Sequence, residues 1–318
     1  MTLSLTNFVH RFRGRHVGVI GDLMLDHFIH GEVERISPEA PVPVVNVTRE
    51  FYTPGGAGNV AANITALGGK ASLIGLVGAD AAGVTLLQEF SKRHIDCSGI
   101  VRHRNHRTIE KVRIVARGQH MVRLDREVVK ELNGQVERKV LAHLVRQLPT
   151  WDAVVLSDYS KGMLTKHITQ RIIAYARRRK KFVVADPKPA HARYFRGVSI
   201  VAPNLKEARE IALVDDLKRA GRTVRRLLRC DVLVTQGAQG MTLFTSSGER
   251  HFPAKAREVF DVVGAGDTVM ATLVLGLAAG AKLAQAVTLA NHAAGIVVGK
   301  IGSATVSAQE LINDLAQR

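Results

Sequence analysis

The chain is poor in several features that would otherwise define its class. Only two of its 318 residues are cysteine, Cys97 and Cys230. Two thiols cannot build a disulfide framework or a four-ligand zinc site, so a reduced, cytoplasmic protein is expected. Aromatic residues amount to 5%, with one tryptophan, and no nucleic-acid-binding motif is present, so nucleic acid is not an expected partner. Long hydrophobic runs are missing too. The longest charge-free apolar stretch, Val269 to Ala281, has thirteen residues. A membrane-spanning helix needs ~20, so this stretch reads as a buried core helix and no membrane contact is expected. The opening MTLSLTNFVHRFRGRH lacks the ~7–15-residue apolar segment of a secretory signal. Neither G-x-x-x-x-G-K-[ST] nor G-x-S-x-G occurs, which argues against a P-loop NTPase and removes the usual α/β-hydrolase signal.

Acidic residues are also scarce, 28 against 45 Lys and Arg, for a net charge of +17. Such a surplus favours anionic partners, whether nucleic acid, membrane surface or phosphorylated small molecules, without choosing among them. What is present is an ordinary globular composition, 46% apolar and 23% charged, which excludes disorder and fibrous structure.

Short β-branched runs recur at His16–Asp22, Ala71–Gly78, Asp152–Asp158, Phe182–Asp186, Ser199–Pro203 and Val232–Gln236. They are unbroken rather than alternating, as in strands buried on both faces of a parallel sheet. Amphipathic patterns lie between them, one carried by Val136, Val140, Leu144 and Leu148, another by Ile168, Ile172 and Ala176. The order predicts a doubly wound, mostly parallel α/β sheet with helices on both faces, forming one unit over residues 1–318. Two strand-like stretches break the alternation, at about 28–52 and 102–126, and predict a small antiparallel flap able to cover a site. Between Arg102 and Arg123 stand seven Lys/Arg and three His against one acid, Glu110, so this flap is a candidate anion-facing surface. The second basic cluster, Arg177–Lys181, falls at a helix end, where cations complement the macrodipole.

Four motifs carry chemistry. Asp261-Val-Val-Gly264-Ala265-Gly266-Asp267 leads into the apolar helix Thr268–Ala279. Glycines before a helix N-terminus let backbone N–H groups converge on an anion, and a carboxylate beside them is suited to accepting a proton. A plain helix cap is the equally weighted alternative. Gly55-Gly56-Ala57-Gly58-Asn59 precedes the helix Val60–Leu67. It matches G-x-G-x-x-A formally, but the charged, proline-ended segment before it argues against a dinucleotide site. A loop approaching a polyhydroxylated ligand, with the Asn59 amide as donor and acceptor, fits better. Asn204-Leu-Lys-Glu207 has the spacing of a capping box, and by itself reads as a cap. Polar residues also end several strands: Asp22 and Asp26, Asp158 with Lys161, Asp186 with Lys188, and Thr235 through Gly240. In an open α/β sheet such ends converge on one crevice, although Gly237 and Gly240 also suit a hairpin turn.

Together these motifs resemble the ribokinase-like (PfkB) carbohydrate kinases over essentially the whole chain, with Gly55–Ala61 and Asp261–Asp267 similar to the family's two signatures and Asn204–Glu207 to its N-x-x-E. The resemblance implies ATP and Mg²⁺, with Asp267 as catalytic base and the Gly264, Ala265 and Gly266 amides as anion hole. It implies that Glu207, through water, and Asn204 help place the metal and phosphates. Asp26, Gly56 and Asn59 would hold the sugar, and Thr235, Gly237, Gly240 and Asn291 would border the nucleotide. Gly31–Val45 (GEVERISPEAPVPVV), Ser157–Gly162 and Asp186–Lys188 are similar to the D-glycero-β-D-manno-heptose-7-phosphate kinases. That subgroup implies phosphorylation of the anomeric hydroxyl of heptose 7-phosphate, for ADP-heptose and lipopolysaccharide core synthesis. Arg113, Lys161, Asp186 and Lys188 are then candidate contacts to the sugar phosphate. No H-x-G-H occurs, so a stand-alone kinase is expected. A homodimer through the flaps follows from the resemblance only. Val262 departs from the family's usual Thr. Rival readings are a kinase for fructose phosphate, tagatose phosphate or ribose, and an NAD-binding oxidoreductase.

Overall fold

The computed structural model describes residues 4–130, 132, 134–255, 259–300 and 304–317. Thirteen strands among them, numbered in chain order, form two sheets. The large sheet contains β1 (His16–Gly21), β4 (Lys70–Gly78), β5 (Asp96–His103), β8 (Ala153–Ser157), β9 (Phe182–Asp186), β10 (Ile200–Val201), β11 (Asp231–Thr235), β12 (Met241–Thr245) and β13 (Gly248–Phe252). Their spatial order is β13-β12-β11-β10-β9-β8-β1-β4-β5. All neighbours from β11 through β5 run parallel, while β12 and β13 are antiparallel additions at one edge. The doubly wound, mostly parallel sheet expected from the sequence is what the chain forms.

Alternating side chains feed two cores. Val17, Val19, Val155, Val184 and Leu233 enter one, against the helices Ala57–Ala66, Ala265–Ala278 and Leu283–Val297. Ile20, Val154, Leu156, Val183 and Val232 enter the other, against the helices Gly134–Gln147, Lys166–Arg178 and Leu217–Leu228. Burial on both faces explains the unbroken apolar runs. The stretch from Val269 lies in a helix, Ala265–Ala278, buried from Asp267 through Leu277. Among the described residues no helix is long and apolar enough to cross a membrane, and Cys97 and Cys230 are free thiols.

The small sheet has the order β3-β2-β6-β7, from β2 (Leu23–Ile36), β3 (Pro43–Gly56), β6 (Ile109–Ala116) and β7 (Gln119–Arg126). It differs from the expected flap in three ways. β2 and β6 pair in parallel, so the sheet is mixed rather than antiparallel. Arg102 and His103 belong to β5 of the large sheet. The first hairpin is longer than 28–52, since only Asp22 separates β1 from β2 and β3 runs on to Gly56. In sequence Asp26, with His27 beside it, reads as a polar strand end. In the fold, neighbouring strands supply their partners: Arg113 for Asp26, Glu50 and Glu110 for His27.

Candidate active site

Both glycine motifs enter helices at once. The helix after Gly56 begins at Ala57 and the helix after Gly264 at Ala265, each three residues earlier than the sequence suggested. Gly264 takes φ 79° at the cap, a left-handed value suited to glycine, and Gly56 takes φ 58°. A Cβ on Gly56 would lie 2.5 Å from the Asp22 carbonyl oxygen, and one on Gly55 would lie 2.6 Å from Asp26 Oδ2. These glycines therefore let backbone close onto Asp22, between β1 and β2, and Asp26, within β2.

The early helix starts make Asp267 the third residue of its helix, beside first-turn N–H groups that have no intrahelical acceptor. Its carboxylate is held from two sides. Asn59 Nδ2, 208 residues away in sequence, donates to Oδ2 at 2.7 Å. The Tyr159 hydroxyl donates to Oδ1 at 2.8 Å. Behind them a buried polar chain ties the two helices together: Asn63 Nδ2 donates to the Asn59 carbonyl at 3.0 Å and Thr268 Oγ1 to Asn63 Oδ1 at 2.8 Å. Burial pushes Asp267 up to about 6, with the Asn59 and Tyr159 hydrogen bonds opposing that shift. Asn59 is thus engaged with the carboxylate, while its Oδ1 accepts from Asn63 Nδ2 at 3.3 Å.

Asp22 serves the scaffold. Its Oδ2 accepts the N–H groups of Tyr159 at 2.8 Å and Lys161 at 3.1 Å, and Oδ1 accepts that of Met163 at 3.0 Å. Asp158 in turn accepts Ser160 N–H at 2.8 Å and Lys188 N–H at 3.2 Å. Two strand-end aspartates thereby shape the loops after β8 and β9.

The three cations singled out for a substrate phosphate are each paired to a carboxylate. Arg113 Nη1 lies 2.5 Å from Asp26 Oδ1, Lys161 Nζ lies 2.7 Å from Glu127 Oε1, and Lys188 Nζ lies 2.5 Å from Glu207 Oε1. Burial raises Asp26 despite Arg113. For Lys188 burial works downward, but the charges of Asp186 and Glu207 prevail and raise it. Of the rest of the basic cluster, Arg102, Arg104, Arg107, Arg117 and Arg123 are exposed, while Lys111 is half-buried and pairs with Asp125 at 3.0 Å.

Asp186 is pushed up to about 8, first by burial and then by the charge of Glu207. Its Oδ1 is buried without a hydrogen-bond partner. Asn204 and Glu207 form the complete capping box their spacing suggested: Glu207 N–H donates to Asn204 Oδ1 at 2.9 Å and Asn204 N–H to Glu207 Oε2 at 3.0 Å. Glu207 still presents Oε1 to Lys188, so cap and site share one carboxylate.

On the far side of Asp267 a cavity of about 310 Å³ is lined by Thr235, Gly237, Gly240, Ala265, Gly266 and Asn291, among others. Thr235, Gly237, Gly240 and Asn291 are the four that the family resemblance places at the nucleotide. Gly237–Gly240 also makes the turn between antiparallel β11 and β12. A Cβ on Gly266 would meet nothing within 4 Å, which leaves the helix start open to the cavity. Val262 is exposed at the rim.

Sequence reasoning missed the role of Tyr159, although it lies inside the Ser157–Gly162 motif. Asn63 was missed too, and its position four residues after Asn59 on one helix face was the available signal. Glu127, partner of Lys161, carried none.

A profile of the pfkB family of carbohydrate kinases matches residues 15–310. Among curated proteins, the bifunctional protein HldE of Geobacter sulfurreducens is 46% identical over 304 residues, covering 93% of this chain and 62% of that protein. The protein of the same name from Trichlorobacter lovleyi is 43% identical over 301 residues, covering 92% and 61%. The chain therefore spans less than two thirds of the length of these relatives. Among solved structures, a putative ribokinase from Agrobacterium tumefaciens superposes with a TM-score of 0.78 at 20% identity, covering 96% of this chain and 98% of that one. Phosphofructokinase-2 from Escherichia coli in complex with substrates and products gives 0.77 at 19% identity, covering 96% and 99%. Arabidopsis thaliana ribokinase complexed with ribose and ATP gives 0.74 at 17% identity, covering 95% and 99%.

Proposed function

Because this chain belongs to the pfkB family of carbohydrate kinases, we propose that its site transfers the γ-phosphoryl group of ATP to the anomeric hydroxyl of D-glycero-β-D-manno-heptose 7-phosphate. The products are the 1,7-bisphosphate and ADP. One observation carries the chemistry: a carboxylate raised to about 6 stands in the first turn of a helix whose glycine start opens on a cavity. A base so tuned is ionised at neutral pH yet more basic than an ordinary aspartate. Asp267 takes the proton of the sugar hydroxyl as its oxygen attacks the γ-phosphorus in line and ADP departs. The Gly264, Ala265 and Gly266 amides and the helix N-terminus stabilise the charge that develops on the transferred group.

The heptose phosphate assignment is supported by the Gly31–Val45 flap sequence and by the Ser157–Gly162 and Asp186–Lys188 motifs. Asp26 and Gly56 face the sugar, and Arg113, Lys161 and Lys188 supply positive charge for its phosphate by exchanging their carboxylate partners for it. Thr235, Gly237, Gly240 and Asn291 border the adenosine.

Mg²⁺ fits the donors present. Asp186 Oδ1 is a buried oxygen without a partner, and Glu207 is the neighbouring carboxylate. Among the described residues no group of three or more His, Cys, Asp and Glu side chains is arranged to hold a metal. The Asp186 and Glu207 carboxylates suit an ion held by one or two carboxylates, waters and substrate phosphates, with Glu207 acting through water. When bound, the ion neutralises phosphate charge.

The reading carries a cytoplasmic setting, where ATP is supplied, and places the product in ADP-heptose and lipopolysaccharide core synthesis. It also carries a homodimer, supported by β7, which is exposed along its length, and by exposed Ile36, Val47, Val122 and Leu124 on the small sheet. The deciding experiment is ATP-dependent ADP release with heptose 7-phosphate, fructose 6-phosphate, ribose or no sugar. Turnover confined to the heptose phosphate and lost in Asp267→Asn is expected. Turnover on another sugar instead would keep the kinase and overturn the acceptor.

A further inference from the structure

We propose that Tyr159 is a positioning residue for the catalytic base: its hydroxyl orients the Asp267 carboxylate, and its backbone is locked by Asp22 so that this orientation is built into the fold. The inference rests on the phosphoryl-transfer reading for its kinetic part and on geometry for the rest. Asp267 receives one donor on each oxygen, Tyr159 on Oδ1 at 2.8 Å and Asn59 on Oδ2 at 2.7 Å. The two donors come from different elements, the loop after β8 and the helix Ala57–Ala66. A carboxylate gripped at both oxygens cannot rotate about its terminal torsion without losing one bond. Each oxygen still keeps a lone pair for an incoming hydroxyl proton, because an ionised carboxyl has about four acceptor positions.

Tyr159 is suited to this task in two further ways. Burial, and then the negative charge of Asp267, hold its phenol well above the ordinary tyrosine value, so it remains a donor throughout the working pH range. Its backbone has little freedom, since Asp22 accepts the N–H groups of Tyr159, Lys161 and Met163 while Ser160 sits at φ 56°. Lys188 Nζ stands 5.4 Å from the centre of its ring, and the same ammonium pairs with Glu207 at 2.5 Å. Tyr159 therefore touches both the base and the cation beside the metal-binding carboxylates. The other charges acting on Asp267 include Asp26 from β2, which raises it, and Lys188, which lowers it; Asp186 at the end of β9 is a further facing carboxyl, itself raised in part by the charge of Asp267. None of the three is altered by the substitution proposed.

Tyr159→Phe keeps the ring and removes only the hydroxyl. A hydrogen bond to a charged group is worth about 1.5–3 kcal/mol, so kcat is expected to fall ~10–100-fold with KM for both substrates within ~3-fold. The acid limb of the kcat–pH profile is expected to move to higher pH, because a donor favouring the ionised form is gone. A merely structural tyrosine would leave that limb in place. Asp22→Asn, which loosens the loop without touching Asp267, is expected to move both quantities the same way by less. Unchanged kcat and acid limb in Tyr159→Phe, with Asp267→Asn inactive, would overturn the positioning role and leave the kinase reading standing. Independently of any substrate, the Asp267 carboxyl ¹³C resonance, assigned by its loss in Asp267→Asn, is titrated in both proteins. An upward shift in Tyr159→Phe supports the proposal even if the acceptor is misassigned, and identical titrations overturn it.

Discussion

The two edges of the large sheet carry charge in opposite ways. At the carboxyl edge, Asp22, Asp26, Asp158 and Asp267 are all buried, and each has polar partners at hydrogen-bond distance. At the amino edge, the connections entering β1, β8, β9, β10 and β11 bring Arg15, Arg146, Arg179, Arg196 and Arg229, all but Arg15 exposed. Ion pairs there are long, as in Arg15 to Asp152 at 3.8 Å and Arg225 to Asp231 at 3.9 Å. Helices of this fold end at the amino edge, where cations complement their dipoles at modest gain. These arginines lie at the end of the sheet opposite the site. What marks the site is a small set of buried carboxylates with chosen partners, because charge in low dielectric is worth far more than charge in water.

If that contrast is right, substitutions at the carboxyl edge should dominate. Asp267→Asn is expected to lower kcat by ~10²–10⁴-fold with little change in KM, and parental kcat in the variant would remove Asp267 from its role. In the parent, kcat should fall as pH drops through about 6, the value to which burial brings Asp267. A pH–rate profile checks this, since protonation removes the acceptor. Next in size, Lys188→Ala and Lys161→Ala should each raise the sugar-phosphate KM by ~10-fold or more, the worth of a charge-assisted hydrogen bond. Unchanged KM in both would remove these lysines from the phosphate site.

Asp186 sharpens the comparison through stability. Its folded value of about 8 lies above the ordinary carboxylate range, so the folded state holds its proton more tightly than the unfolded chain does. The stability it contributes is complete below the ordinary value and is lost as pH rises through about 8. Asp186→Asn should therefore gain Tm relative to the parent on going from pH 5.5 to 8.5, while losing turnover. A Tm difference independent of pH would contradict the raised value. The smallest effects belong to the amino edge. Arg179→Ala and Arg226→Ala should change stability by within ~0.5 kcal/mol and leave kcat unaltered, as thermal melts and initial rates would show.

The legible parts of this protein are those set by local rules. The strand runs, the glycine-started helices and the capping box at Asn204 all follow from neighbours within a few residues. The small sheet was only half legible. The Leu23–Gly56 hairpin is local, but the parallel pairing of β2 with β6 is made across β3, β4 and β5. Asp26 and His27 looked like a strand end because their partners, Arg113 and Glu110, lie 87 and 83 residues away. In the site, Asp267 was legible from its glycines, whereas Tyr159 was not, since nothing within Ser157–Gly162 says what a phenol there will meet.

By itself the sequence determined the fold class, the two glycine motifs and the residue types that meet at the carboxyl edge, because periodicity and turn chemistry act over short spans. Only the tertiary structure decided that Asn59 and Tyr159 both grip Asp267, that Lys188 pairs with Glu207, and that Asp186 keeps an oxygen without a partner. Those outcomes depend on desolvation and on donors brought from as many as 208 residues away, and neither exists until the sheet and its helices have packed.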